Sequence, residues 1–367
     1  MIPSTVTALL QELIRIPSVN PDGSPGTDLT GEATIAAYLR DVLAEMGADV
    51  SLHEVLPGRP NVVARFPSSQ PGKPRLLFAP HTDTVSITGM TIEPFGSDVR
   101  DGKIWGRGAS DTKGSIAAML FALKESLPLI PELPYEIWFA GLMGEETGLL
   151  GSKALAEEIP FDFVIAGEPT NLDVVHTTKG SVWVTLKTTG QSVHASTPEL
   201  GINAIYAMAD ILQCVRDEIA PSLKHQSHPI LGAPTISAGT ISGGSKTNIV
   251  PDSCEVSLDM RTIPGQNIRQ VFDRLKEVVP SVDIQYWESP PMMTATDHPV
   301  IAAMEQCGAT CVGAPWFCDA ASFASRGVPA VAAGPGSIAQ AHTKDEFISI
   351  SDLEDGVRFF SALLRKL

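Results

Sequence analysis

The chain has 367 residues, 43% of them apolar, and a formal charge of -16. That length exceeds what one core usually serves, so two domains are expected. No apolar run is long enough to span a bilayer, and the negative charge argues against nucleic acid or an anionic membrane surface as partners. A small anionic substrate stays open, because bound cations and a local arginine can reverse the sign inside a cleft. The five cysteines include no CxxC pair, which argues against a disulfide framework or a structural zinc site and favours a cytoplasmic location.

The N-terminal stretch carries Glu12 and Arg15 among its apolar residues, so it predicts an amphipathic helix and not a signal peptide. A helix over 30–47 follows, then strands at 49–55 and Asn61–Phe66. Leu76–Ala79 is a short, fully apolar run, as expected of a strand buried on both faces. Ser115–Lys124 predicts a helix, Tyr135–Leu142 a strand, Gly151–Glu158 a helix and Phe161–Ala166 another buried strand. Such alternation means an α/β sheet with helices on both faces.

From about Thr178 the texture changes. Ser181–Thr189 alternates as a half-exposed strand, and Asn203–Ile219 is an amphipathic helix. Thr235–Ile241 and Cys254–Arg261 read as strands, Ile268–Val279 as a helix and Val282–Trp287 as a last strand. This β-α-β-β-α-β order is that of a ferredoxin-like module. The expected division is therefore a catalytic domain over 1–177 and 291–367, with an inserted α+β domain over 178–290. After Pro290–Pro291 the alternation resumes with a helix at 298–307, the strand Ala330–Ala333 and a closing helix at 351–366. Cys307 and Cys311, four apart, read as small buried side chains on a helix.

Five candidate metal ligands sit in separate short motifs: His81 in HTDTV, Asp111 in GRGASDTKG, Glu146 in MGEETG, Glu168 in AGEPT and His342 in AQAHTKDEF. His81, Glu145, Glu146 and Glu168 all fall just after an apolar strand, where ligands bind in α/β sheets. Taken singly, most have plainer explanations. A histidine there can be a cap or a core side chain, and Asp111 before a helix can be an N-cap. Asp83, two residues from His81, can accept the proton on the imidazole's other nitrogen and so fix the ring for a metal. The adjacent Glu145 and Glu146 repel each other; a metal resolves that conflict by binding Glu146 and leaving Glu145 to take a proton from the attacking water. Two imidazoles and three carboxylates suit zinc, cobalt or manganese. The insert adds His194 in GQSVHASTP, Asn248 in GGSKTNIVP and Arg261 in LDMRTIPG.

In this order along the chain, the motifs resemble the metallopeptidase family that includes acetylornithine deacetylase, succinyl-diaminopimelate desuccinylase, aminoacylases and glutamate carboxypeptidase. The resemblance implies a mixed, mostly parallel sheet flanked by helices, with the ferredoxin-like insert as a lid that in many members forms the dimer interface. It implies two divalent ions, zinc before cobalt or manganese, bridged by Asp111. His81 and Glu168 would complete one ion, and Glu146 and His342 the other. Glu145 matches the family's general base, Asp83 the partner of the histidine, and the peptide Asp111–Thr112 is expected to be cis.

His194 matches a lid histidine that reaches the active site of the partner subunit. Arg261 and Asn248 match lid residues that hold the substrate's carboxylate and polar groups, an arginine fork suiting a carboxylate bidentately. The wording GEPTNLDVVHTTKG, LDMRTIPG and GPGSIAQAHTKDEF is most similar to the acetylornithine deacetylase branch. On that basis Gly334, Gly336 and Ser337 of GPGS are expected to offer backbone N–H groups to a substrate carboxylate. The implied activity is hydrolysis of a small N-acyl amino acid, N-acetylornithine first. The alternatives are a dipeptidase, a carboxypeptidase or a succinyl-diaminopimelate desuccinylase, and, further off, a metal-binding protein without activity.

Overall fold

A computed structural model describes residues 2–22 and 24–367; Met1 and Gly23 lie outside the described residues. The chain divides into two compact units, one of Met1–His176, Met293–Val312 and Cys318–Leu367, the other of Thr177–Met292 with Gly313–Phe317.

In the first unit the strand Arg75–Pro80 lies at the centre of a mixed sheet, parallel to Glu136–Gly141 on one side and to Phe163–Gly167 on the other. Ala330–Ala332 extends this parallel centre beside Phe163–Gly167. Beyond Glu136–Gly141 the sheet turns antiparallel through Arg59–Arg65 and Asp49–Leu56. The apolar run of the central strand reflects burial on both faces. Leu76 and Phe78 join a core with the helices Val6–Arg15, Ala33–Glu45, Lys113–Ser126 and Ile350–Lys366. On the other side of the sheet Phe161 meets Trp138 and Phe323 edge-on, at centroid distances of 5.7 and 6.1 Å.

Local chemistry starts these helices where periodicity places them. The Thr5 side chain accepts a hydrogen bond from the Ala8 N–H, and the Ser349 side chain accepts one from Asp352 N–H, each satisfying a donor the helix leaves over. A three-stranded sheet of Asp98–Arg100, Lys103–Trp105 and Phe347–Ser349 brings residue 346 beside the glycine-rich loop 106–111. These three-residue strands were not foreseen, being too short for any periodicity. Cys307 caps the helix Pro299–Gln306, whereas Cys311 opens a strand, so the two do not share a helix as expected. Gly308, at φ 99°, turns the chain between them.

The second unit has the ferredoxin-like order. Its sheet runs Thr235–Gly243, Ser253–Thr262, Gly180–Thr189, Asp283–Ser289, with every neighbouring pair antiparallel. Strand alternation sends Val182, Val184, Leu186, Leu258 and Met260 to one face, where Met208 and Ile211 of the helix Ala204–Cys214 and Phe272 and Leu275 of Arg269–Val278 cover them. No helix among the described residues is long and apolar enough to cross a membrane.

Candidate metal centre

The carboxyl ends of three central strands deliver the first set of side chains. His81 follows Arg75–Pro80, Glu145 and Glu146 follow Glu136–Gly141, and Glu168 follows Phe163–Gly167. Asp111 comes from the loop before the helix Lys113–Ser126, and His342 from the turn after Ile338–Gln340. These segments converge. Nε2 of His81 lies 3.0 Å from Oδ1 of Asp111, and Nε2 of His342 lies 3.6 Å from Asp111 Oδ2 and 3.0 Å from Glu146 Oε2. Two clusters result, His81–Asp111–Glu168 and Asp111–Glu146–His342, with the ligand atoms of each within 4.8 Å of one another. Asp111 belongs to both. The peptide after it is cis.

The protonation preferences of these groups conflict. Burial, then the charge of Glu168, pushes the Glu145 carboxyl well above the usual carboxylate range. Burial likewise lifts Glu168, with Asp111 and Asp319 adding to it, and Glu146 is pushed up to about 7 by burial and by Asp111. The hydrogen bond to Glu146 raises His342. For His81 burial opposes the cation, but the surrounding carboxylates outweigh it and hold the imidazole well above its ordinary value. Oε1 of Glu146 is buried with no hydrogen-bond partner, an arrangement that costs free energy unless something else meets it. A donor set of two imidazoles and three carboxylates, crowded together with such an orphaned oxygen, fits divalent cations. Glu145 stands apart in kind. It is 7% exposed, belongs to neither cluster, and makes no side-chain hydrogen bond or ion pair among the described residues.

Two of the expected groups are also engaged within the protein. The imidazole Nδ1 of His81 faces the backbone carbonyl of Asp83 at 2.9 Å, with the Asp83 carboxylate 3.6 Å away and helping to raise the imidazole. That carboxylate in addition accepts from Asn20 Nδ2 at 2.7 Å and from the backbone N–H groups of Glu145 and Glu146 at 3.0 and 3.1 Å. Asp83 therefore fixes the turn that carries the two glutamates. Gly334, expected to offer its N–H to a ligand, donates it to the Thr170 hydroxyl at 3.2 Å. Its lack of a side chain serves close packing, since a Cβ there would lie 2.3 Å from Ser115 Oγ and 2.5 Å from the Glu168 carbonyl. Gly336 sits at φ 82° against Ser110, and Ser337 caps the short helical turn before His342.

The lid candidates lie in the second unit. His194 and Asn248 come together there, joined by the bridge between His194 and Ile249 and by the Ala195 N–H donating to the Asn248 carbonyl at 3.1 Å. Nδ1 of His194 is 2.7 Å from the Ser196 hydroxyl. Arg261 is on the sheet, paired bidentately with Asp259 at 2.9 and 3.1 Å.

Two further residues of the centre were missed. Glu346, within the quoted AQAHTKDEF run, is fully buried; its Oε1 accepts from the N–H groups of Ser110 and Asp111, both at 2.8 Å, and its Oε2 from Gly108 N–H and Arg107. Asp319 is 1% exposed with neither oxygen hydrogen-bonded, and burial pushes it up to about 7. Only a contact map could find either one, because each acts on segments far away in the chain.

Two three-donor clusters sharing one carboxylate, beside a buried carboxyl that ligates nothing, suit a metal-dependent hydrolase that works with a pair of cations. The sequence profile of peptidase family M20/M25/M40 matches residues 77–366, and the chain belongs to that family of metallo-hydrolases. It is 31% identical to an acetylornithine deacetylase from Proteus mirabilis, an alignment covering 95% of this chain and 93% of that one. Among solved structures it is similar to an M20 family metallo-carboxypeptidase from Sulfolobus solfataricus, with a TM-score of 0.79 at 20% identity over 99% of both chains. It is also similar to a dinuclear metal-binding M20 peptidase from Bacillus subtilis, with a TM-score of 0.71 at 16% identity over 98% of this chain and 96% of that one.

Proposed function

We propose that the protein hydrolyses the amide bond of a small N-acyl amino acid, with N-acetylornithine the first substrate to try. The observation that carries this reading is the geometry of Glu145, a buried carboxyl free of hydrogen bonds beside two clusters that share Asp111. His81 and Glu168 would hold one divalent ion, Glu146 and His342 the other, and Asp111 both. Zinc is the first ion to test, then cobalt or manganese. Bound there, the pair would supply positive charge that acidifies water and polarises an amide carbonyl.

The chain's own residues do the rest. Glu145 accepts the proton of the attacking water and returns it to the leaving amine. Burial raises its carboxyl above the usual carboxylate range, which strengthens it as a proton acceptor relative to a solvated glutamate. Asp83 keeps that carboxyl in place by accepting the Glu145 N–H. His194 stabilises the oxyanion, and Arg261 with Asn248 takes the substrate's carboxylate and neighbouring polar groups. The same reading makes the protein a cytoplasmic homodimer joined through the ferredoxin-like unit. The exposed outer strand Thr235–Gly243, with Ile241 at 57% exposure, supports such a contact.

Glu145→Gln tests the assignment. The variant should keep two metal ions per chain by elemental analysis, and kcat on N-acyl amino acids should fall by about 10²–10⁴-fold. Turnover near that of the unaltered enzyme would remove Glu145 from the base's role. A panel of N-acyl amino acids against dipeptides separates deacylase from peptidase.

A further inference from the structure

The two glutamates of the centre sit on a loop that has little regular structure to hold it. Residues 143–149 form neither helix nor strand, and Gly144 and Gly148, at φ 69° and 104°, flank the run Glu145–Thr147. Glycines at both ends widen the conformations open to that run, so fixing the two carboxyls needs bonds from other segments.

Asn61, buried on the strand Arg59–Arg65, closes the neck of the loop. Its Oδ1 accepts from the Met143 N–H and its Nδ2 donates to the Gly151 carbonyl, both at 2.9 Å. Met143 and Gly151 also meet directly, the Gly151 N–H donating to the Met143 carbonyl at 3.0 Å. Two residues earlier on the same strand, Arg59 forks onto the buried carboxylate of Glu32 at 2.7 and 2.8 Å and donates Nη1 to Asp22 at 3.1 Å. Asp22 in turn accepts from the hydroxyl of Thr147, beside Glu146, at 3.2 Å. Asn20 accepts the Asp22 N–H at 3.0 Å and donates to Asp83, whose carboxylate takes the Glu145 and Glu146 N–H groups. Among the described residues, no hydrogen bond of the Asn61 or Asp22 side chain reaches the segments that carry His81, Glu168 or His342. The grip is therefore selective for one side of the centre.

We propose that Asn61 is a positioning residue for Glu145 and Glu146, assisted by Asp22 through Thr147. It sets the affinity of the one ion that Asp111, Glu146 and His342 would hold, and it aims the Glu145 carboxyl. The inference rests on the roles proposed for those two glutamates and adds groups that ligate nothing. A partner one bond removed from a ligand can matter this much, because it fixes where the ligand points.

The experiment measures zinc affinity of the metal-free, full-length chain by calorimetry in two backgrounds. Glu168→Ala leaves the donors Asp111, Glu146 and His342, and His342→Ala leaves His81, Asp111 and Glu168. Adding Asn61→Ala should weaken zinc binding about tenfold in the first background and by less than about twofold in the second. An equal loss in both, or a loss in neither, overturns the inference, since general loosening of the fold does not discriminate between the clusters. So does a Glu168→Ala chain that binds no zinc. If Asn61→Ala fails to fold, Asp22→Ala decides instead, because the Asp22 side chain is 57% exposed and its removal spares the core. It should weaken zinc about threefold in the first background, the contribution of one hydrogen bond, and leave the second unchanged; no difference between the backgrounds overturns the inference. On an N-acyl amino acid that the natural chain hydrolyses, Asn61→Ala alone should lower kcat about 10–100-fold with KM within about twofold. A loss confined to KM overturns the inference. If the natural chain hydrolyses no N-acyl amino acid, the deacylase reading falls, and the zinc comparison still decides this one.

Discussion

Glu346→Gln is the sharpest probe of how the centre is held. The Glu346 carboxylate meets four donors: the N–H groups of Ser110 and Asp111 on one oxygen, and Gly108 N–H with Arg107 Nη1 on the other. Burial and the charge of Asp111 push its carboxyl up. Yet all four neighbours are donors, so a proton on either oxygen would find no acceptor, and the anion is the form the geometry demands. Glutamine offers one carbonyl oxygen and turns its NH2 group toward two donors. An orphaned buried donor costs about 1–3 kcal/mol, and breaking a buried ion pair from one side about 3–5 kcal/mol. These overlap here, and Arg107 retains the Thr343 carbonyl at 3.1 Å, so a loss of roughly 4 kcal/mol is expected for the variant. In a thermal melt that is a fall in Tm on the order of 10 °C. Affinity for the cation pair should fall with it, because Asp111 loses the anchor of its own N–H. A Tm within about 2 °C of the unaltered protein, with unchanged metal uptake, would mean that the carboxyl is neutral or its bonds immaterial.

Two other outcomes follow from the same geometry. Glu146 and Asp319 titrate near 7 when folded, and His81 and His342 are raised as well. All four bind protons more tightly folded than unfolded, so metal-free protein should lose stability as pH rises from about 5 to 8, and bound metal should remove most of that slope; melts of both forms across this range check it. Gly151→Ala should lower Tm and kcat/KM together, because a Cβ there would stand 2.4 Å from the Met143 carbonyl and 2.5 Å from Asn61 Oδ1. That contact displaces the turn carrying Glu145 at a cost of about 1–3 kcal/mol, measurable by denaturant unfolding and steady-state kinetics.

Much of the architecture was legible because its long elements carry clean periodicity. The apolar run at Leu76 announced a strand buried on two faces, and the alternation from Cys254 to Met260 announced a strand with one covered face. Convergence of the ligands was legible for a related reason: a strand that ends in a charged residue aims it at the sheet's carboxyl edge. What stayed hidden was relational. Asp83 read only as the imidazole's partner, yet beside that ion pair its carboxylate also accepts from N–H groups more than sixty residues on. Glu346 carries no local pattern that marks it, and only the short strand Phe347–Ser349 brings it against the loop before Asp111.

The oddest feature of the centre is that so many carboxyls were buried together at all. Glu168 and Asp319 raise Glu145, Asp111 and Asp319 raise Glu168, and Asp83 and Glu146 raise Asp319, so an apolar replacement within the group would relieve repulsion. Such frustration persists only where the surrounding fold over-determines it. Divalent cations would convert the repulsion of the ligating carboxylates into attraction while leaving a carboxyl outside the ligand set raised by burial. On the proposed reading that carboxyl is Glu145, so the burial that makes crowded carboxylates costly is also what raises the base as a proton acceptor. Glu145→Gln should accordingly stabilise the metal-free protein against high pH even as it lowers kcat by about 10²–10⁴-fold, a pairing that a merely structural glutamate would not produce.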